Sequence, residues 1–150
     1  MKRFVACLFV VILFANLLTI SGRAAEVTKE IVSFEDGSYA VIEVMTNGSR
    51  ASGSVTGTKN YTYYGTDNVS EWKVILTGKF TYTGTSANCS ASDVDITVYD
   101  PIWYVSSEYT SKSGNKAKAS VTMACNLDGA TITRVPVSLT LTCDADGNLS

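Results

Sequence analysis

Trp72-Lys73-Val74-Ile75-Leu76-Thr77-Gly78-Lys79-Phe80-Thr81-Tyr82 decides the fold of this chain. Trp72, Val74, Leu76, Phe80 and Tyr82 share one parity, and Lys73, Thr77, Lys79 and Thr81 share the other. Period two is the signature of a half-buried β-strand, because successive side chains point to opposite faces. A helix would scatter the same apolar residues around its circumference. Gly78 falls on the apolar face, where a missing side chain marks a bulge or the close approach of another backbone. Ile75 is the one apolar residue on the polar face.

Working outward, the same alternation recurs between turn signals. Glu26–Phe34 precedes the Asp36-Gly37 turn, and Tyr39–Met45 returns from it. Ser54–Tyr64 leads into Trp72–Tyr82. Ala87–Ala91 and Asp93–Tyr99 form one strand with a kink, placing Val94, Ile96 and Val98 on one face. Asp100-Pro101 breaks that strand, since proline has no N–H to give to a ladder. Ile102–Ser111 follows, with Trp103, Val105 and Tyr109 expected inside. Lys116–Asn126 and Ala130–Cys143 complete the set. No segment carries a sustained helical period. About eight short strands at this spacing predict an all-β, single-domain antiparallel β-sandwich of the immunoglobulin-like kind.

The N-terminus reads differently. Met1-Lys2-Arg3, an apolar run from Phe4 to Ile20, and Ser21-Gly22-Arg23-Ala24 have the layout of a secretory signal peptide cleaved after Ala24. Phe4-Val5-Ala6-Cys7 loosely resembles a lipid-attachment box but precedes the apolar core instead of following it, so a lipoprotein is not expected. The expected organisation is a signal peptide over residues 1–24 and a β-sandwich domain over 25–150, secreted and free of the membrane after cleavage. Without the signal, nine basic residues stand against fourteen acidic ones, a net charge of −5. That balance argues against nucleic acid as a partner.

The chain contains no histidine. Ser-His-Asp and Cys-His triads, imidazole general bases and His-containing zinc sites are therefore excluded. No glycine-rich phosphate loop and no Cys-x-x-Cys motif occurs, and no cofactor is expected. Asp93 and Asp95 share a strand face and are the one carboxylate pair with hydrolase spacing. Asp144-Ala145-Asp146-Gly147-Asn148 echoes the start of a calcium loop, but its glycine comes too early and no bidentate Glu follows. Aromatics are the best binding candidates. Tyr61 and Tyr63 share one face and Tyr64 takes the other, while Trp103 and Tyr104 point to opposite faces. Outward rings on a sheet can stack on sugars or anchor a protein. Tyr61, Tyr63, Tyr64 and Tyr104 are thus the candidate ligand-binding residues. The reading is a secreted, non-catalytic module that binds an extracellular glycan or protein. The alternatives are a carboxylate-based hydrolase and a secreted, bacteriocin-like effector.

Three phrases resemble a known group. They are Thr56-Gly57-Thr58-Lys59 with Tyr61-Thr62-Tyr63-Tyr64, the central strand continued through Thr83-Gly84-Thr85-Ser86-Ala87, and Leu141-Thr142-Cys143-Asp144-Ala145-Asp146-Gly147-Asn148-Leu149-Ser150. Together they are similar to small exported β-rich proteins of Gram-positive, largely gut-dwelling bacteria. The resemblance covers most of the chain beyond the signal. It implies compartment and fold and brings no chemistry with it.

Cys89, Cys125 and Cys143 leave one thiol over if a bridge forms. The last two strands should form a hairpin with a three-residue loop, Leu127-Asp128-Gly129, so that Cys125 faces Thr131 and Ala117 faces Leu139. Cys125 and Cys143 then stand roughly 40 Å apart along the strand, far beyond the reach of a disulfide. Either could still pair with Cys89. The resemblance implies a Cys89–Cys143 disulfide, with Cys125 a free thiol.

Overall fold

The computed structural model describes residues 27–51 and 53–150, with the side chains of residues 47–51 outside that description. The signal-peptide reading of residues 1–24 falls outside the described residues. Among the described residues eight strands are present: β1 (Val27–Ser33), β2 (Tyr39–Ala51), β3 (Ser54–Tyr64), β4 (Ser70–Tyr82), β5 (Ala87–Val98), β6 (Trp103–Ser113), β7 (Lys116–Leu127) and β8 (Ala130–Thr142). Among the described residues there is no helix. All ladders are antiparallel and join neighbours in sequence, giving sheet A (β1-β2-β3-β4-β5) and sheet B (β6-β7-β8).

The chain changes sheet at Asp100-Pro101. The Glu71 carbonyl accepts the N–H groups of Tyr99 (2.8 Å) and Asp100 (3.0 Å), which ends β5. The Asp100 carboxylate then accepts the Ile102 N–H at 3.0 Å and turns the chain into β6. This connectivity differs from the immunoglobulin-like arrangement expected from the strand count. An immunoglobulin domain is built with Greek-key crossings between its sheets, whereas here each sheet is a meander.

The core follows the parity of β4. Trp72, Val74, Leu76 and Phe80 are buried with Val121, Met123, Leu139 and Leu141 of sheet B in one cluster. Trp72 stacks on Tyr63 on β3, and its ring also lies parallel to that of Tyr61 at 5.6 Å. Trp103 meets it at 5.8 Å from the other sheet. A Cβ on Gly78 would stand 2.5 Å from the Phe80 ring and 3.1 Å from the Ala117 Cβ. Glycine there lets Phe80 fold across β4 and β7 pack close above it. Lys59 occupies an inward position between Val44 and Leu76. Burial lowers its pKa, an effect that Glu30 partly offsets.

Bulges account for the differences from the sequence reading. The kink in β5 is a bulge at Ser90, which has no place in the ladder between Phe80↔Cys89 and Lys79↔Ala91. In β6 the ladder skips Ser106, between Val105↔Met123 and Ser107↔Thr122. One extra residue reverses the parity of everything after it. Tyr109, expected inside, therefore pairs with Ser120 on the outer face and is 68% exposed. Val105 keeps its inward position but at this edge strand stays exposed. The β7–β8 loop has two residues, Asp128 (φ 51°) and Gly129 (φ 81°), between paired Leu127 and Ala130. Two left-handed residues are what a type I′ hairpin requires. A bulge between Cys125 and Asn126 then restores the apolar parity, so Cys125 faces Thr133 and Ala117 faces Leu141.

The Cys89–Cys143 disulfide expected from the resemblance is not formed. Cys89, Cys125 and Cys143 are all buried, and none is bridged. The Cys89 thiol turns to the Ala91 carbonyl (3.2 Å) and the Cys143 thiol to that of Asp144 (3.4 Å). Each sulfur is directed along its own chain.

Candidate functional site

The structure separates the four candidate tyrosines. Tyr61 and Tyr63 are buried and serve the core. The Tyr63 hydroxyl donates to Ser38 Oγ at 3.0 Å, and that serine donates in turn to the Asp36 carboxylate. Burial pushes the Tyr61 phenol well above its ordinary pKa, and that of Tyr63 less far. Neither ring can take a ligand without opening the sandwich. The reason is the parity of β3, which turns odd-numbered residues inward against Trp72.

Tyr64 points outward from sheet A, but it is not an open platform. Its ring stacks on that of Tyr39, the residue opposite it on β2, with centroids 4.8 Å apart and planes 5° apart. Each ring thereby covers one face of the other. Four residues along β3 on the same outer face, Asn60 is only 1% exposed, and its carbonyl oxygen has no hydrogen-bond partner. It sits between its cross-strand partners Glu43 and Ile75 and, being buried, is out of a ligand's reach. Asp93 and Asp95 are exposed on this face, opposite Thr77 and Ile75. They stand on a flat strand surface, not in the walls of a cleft.

Tyr104 is placed differently. It sits on β6 opposite Ala124 of β7, on the outer face of sheet B. Its hydroxyl bonds Thr131 Oγ1 of β8 at 3.0 Å. A side chain rooted on one edge strand and tied to the other must lie across the strand between them. Ala124 beneath it is fully buried, while Tyr104 is 39% exposed. The result is a ring held flat on the sheet with one face to solvent. Tyr109, the most exposed aromatic among the described residues, shares this outer face. It stands four β7 residues away, at Ser120 instead of Ala124, or roughly 14 Å along the strand.

Around the two rings the outer face of sheet B is rich in short hydroxyl side chains. Ser107 and Thr122, Ser120 and Ser138, and Lys118 and Thr140 are cross-strand pairs there. Sequence reasoning singled out Tyr104 but missed Tyr109, because nothing in the residues marks Ser106 as a bulge.

A shallow depression lies at one end of the sandwich, lined by Gly53, Tyr82, Thr83, Gly84 and Asp146. Asp146 is its one carboxylate. The neighbouring Asp144 is a turn residue: its carboxylate accepts the N–H groups of Asp146 (2.9 Å) and Asn148 (2.8 Å) and the Asn148 side-chain amide (2.8 Å). The segment that echoes a calcium loop is thus closed on its own backbone. Among the described residues no group of three or more acidic or cysteine side chains is arranged to hold a metal ion. In comparisons with known proteins, the chain matches no family model, no curated protein and no solved structure.

Proposed function

We propose that this protein is an exported, non-catalytic β-sandwich module that binds an extracellular glycan on the outer face of sheet B. One observation carries the reading: Tyr104 is fixed flat across β7 by its bond to Thr131, with a ring face open to solvent. A ring already immobilised loses little entropy when a sugar stacks on it, and that favours binding. The exposed serines and threonines beside it supply donors and acceptors for sugar hydroxyls. Export rests on the basic-apolar-small layout of residues 1–24. The absence of histidine and the open setting of Asp93 and Asp95 support a binding role over a hydrolytic one.

The test is a glycan array with purified protein. Specific signals should be lost in Tyr104→Ala and weakened in Tyr109→Ala, while Tyr64→Ala keeps them. A blank array, or turnover of a polysaccharide that depends on Asp93 and Asp95, would overturn the proposal.

A further inference from the structure

The charged residues are not spread evenly over the molecule. On the outer face of sheet B, Lys116 and Lys118 of β7 and Arg134 of β8 are exposed. Among the described residues no carboxylate side chain stands on that face. The nearest in sequence, Glu108 and Asp128, lie on the opposite side of β6 and in the β7–β8 turn. This is notable in a chain with 14 acidic and 12 basic residues. The outer face of sheet A carries both signs, with Lys29 paired to Glu43 at 3.9 Å. A further group of carboxylates, Asp36, Asp67 and Asp100, surrounds Glu71 at the end of the sandwich where β5 passes to β6.

The cations and the rings also fall in a line. Along β7 the order is Lys116, Lys118, the Tyr109 level at Ser120, and the Tyr104 level at Ala124, with Arg134 beside Ala124. From Lys116 to Ala124 the strip runs roughly 27 Å, and it is three strands, or about 10 Å, wide. A long, narrow strip suits an extended polymer, and its uncompensated positive charge selects a polymer with negative groups along its length.

We infer that the ligand of this face is an anionic polysaccharide, one bearing carboxylate, sulfate or phosphate groups. Its sugar rings stack on Tyr104 and Tyr109, and its anionic groups are held by the two lysines and Arg134. The inference rests on the glycan-binding reading above. The serine and threonine hydroxyls that lie between the rings suit sugar hydroxyls, which favours a polysaccharide over a nucleic acid.

Titration of the protein with four probes tests this: polygalacturonate, chondroitin sulfate, soluble neutral xylan and a dT20 oligonucleotide. An anionic glycan should bind more tightly than xylan, and the first two probes separate carboxylate from sulfate recognition. Raising the salt from 20 to 500 mM should weaken binding about tenfold or more, as expected for exposed charges. The double variant Lys116→Gln/Lys118→Gln should bind the anionic glycan about tenfold more weakly with an unchanged melting temperature, since both side chains are exposed. Equal binding of xylan, insensitive to salt and to the double variant but lost in Tyr104→Ala, would overturn the anionic assignment and leave the glycan-binding reading standing. Binding of none of the glycans would overturn both. Tighter binding of dT20 than of any glycan would make the face a nucleic-acid surface.

Discussion

The rings of Trp72 and Tyr63 lie face to face, with centroids 4.9 Å apart and planes 6° from parallel. They are cross-strand partners on β4 and β3, and Trp103 closes on both from the opposite sheet. This aromatic group joins the two sheets where sheet B begins.

Trp72→Ala should therefore be among the most damaging substitutions. It removes the largest fully buried side chain and leaves Tyr61, Tyr63 and Trp103 facing a void. Truncating a buried tryptophan costs about 3–5 kcal/mol. Against a total stability of about 5–15 kcal/mol for a domain, that loss takes a large part of the whole. Chemical denaturation should show the midpoint fall sharply. A midpoint within error of the parent protein would contradict the placement of Trp72 at the centre of the core.

Glu71 makes stability depend on pH in a stated direction. Burial raises its pKa, the Trp103 indole opposes that rise, and Asp100, Asp67 and Asp36 add to it. A carboxyl with a folded pKa above its unfolded value binds its proton more tightly in the native state. Its contribution is most favourable below the unfolded value, about 4.3, and is lost as pH rises through the folded pKa. Glu71→Gln should leave the melting temperature almost unchanged at pH 4 and raise it at pH 7. A variant less stable than the parent at pH 7 would mean that the charged carboxylate has a partner that stabilises it.

Much of this architecture was legible in the residues, for a physical reason. β4 alternates buried and more open positions, so parity and burial carry the same information twice there, and the Ser54–Tyr64 limits read from sequence for β3 are those observed. Parity alone did not say which face of β3 looks inward. Tyr61 and Tyr63 were equal candidates with Tyr64 until Trp72 was seen to lie against them. β6 failed for another reason. It is the edge of a three-stranded sheet, so burial constrains it weakly, and Ser106 is an ordinary serine among serines. Nothing local distinguishes a bulged residue of that type from a paired one. At the β7–β8 turn the opposite happened: a two-residue turn plus a bulge presents the same parity as a three-residue loop, so the inward face was right while the register was not. The flat hold on Tyr104 depends on Thr131, 27 residues away, and no local pattern reports it.

The cysteines give the last prediction. Cys125 pairs with Thr133 near the β7–β8 turn. Cys143 lies at the other end of that hairpin, where its N–H donates to the Asn115 carbonyl at 3.0 Å. The Cys89 N–H donates to the adjacent Gly114 carbonyl at 2.7 Å. All three sulfurs are enclosed by a core that closes around them without a bridge. A reducing agent should therefore leave the melting temperature unchanged. Burial raises the thiol pKa of Cys89, against the opposing pull of Lys112 and of a backbone hydrogen bond from Ala91, and raises that of Cys125, with Glu71 and Asp100 adding to it. A raised thiol pKa means less thiolate at neutral pH and slower attack on an alkylating reagent. Iodoacetamide should label Cys89 and Cys125 slowly in the native protein and rapidly once denaturant opens the core. A disulfide closing the long segment from Cys89 to Cys143 would instead contribute roughly 4 kcal/mol. Reduction would then lower the melting temperature by about ten degrees or more, and that result would show that the protein carries the bridge.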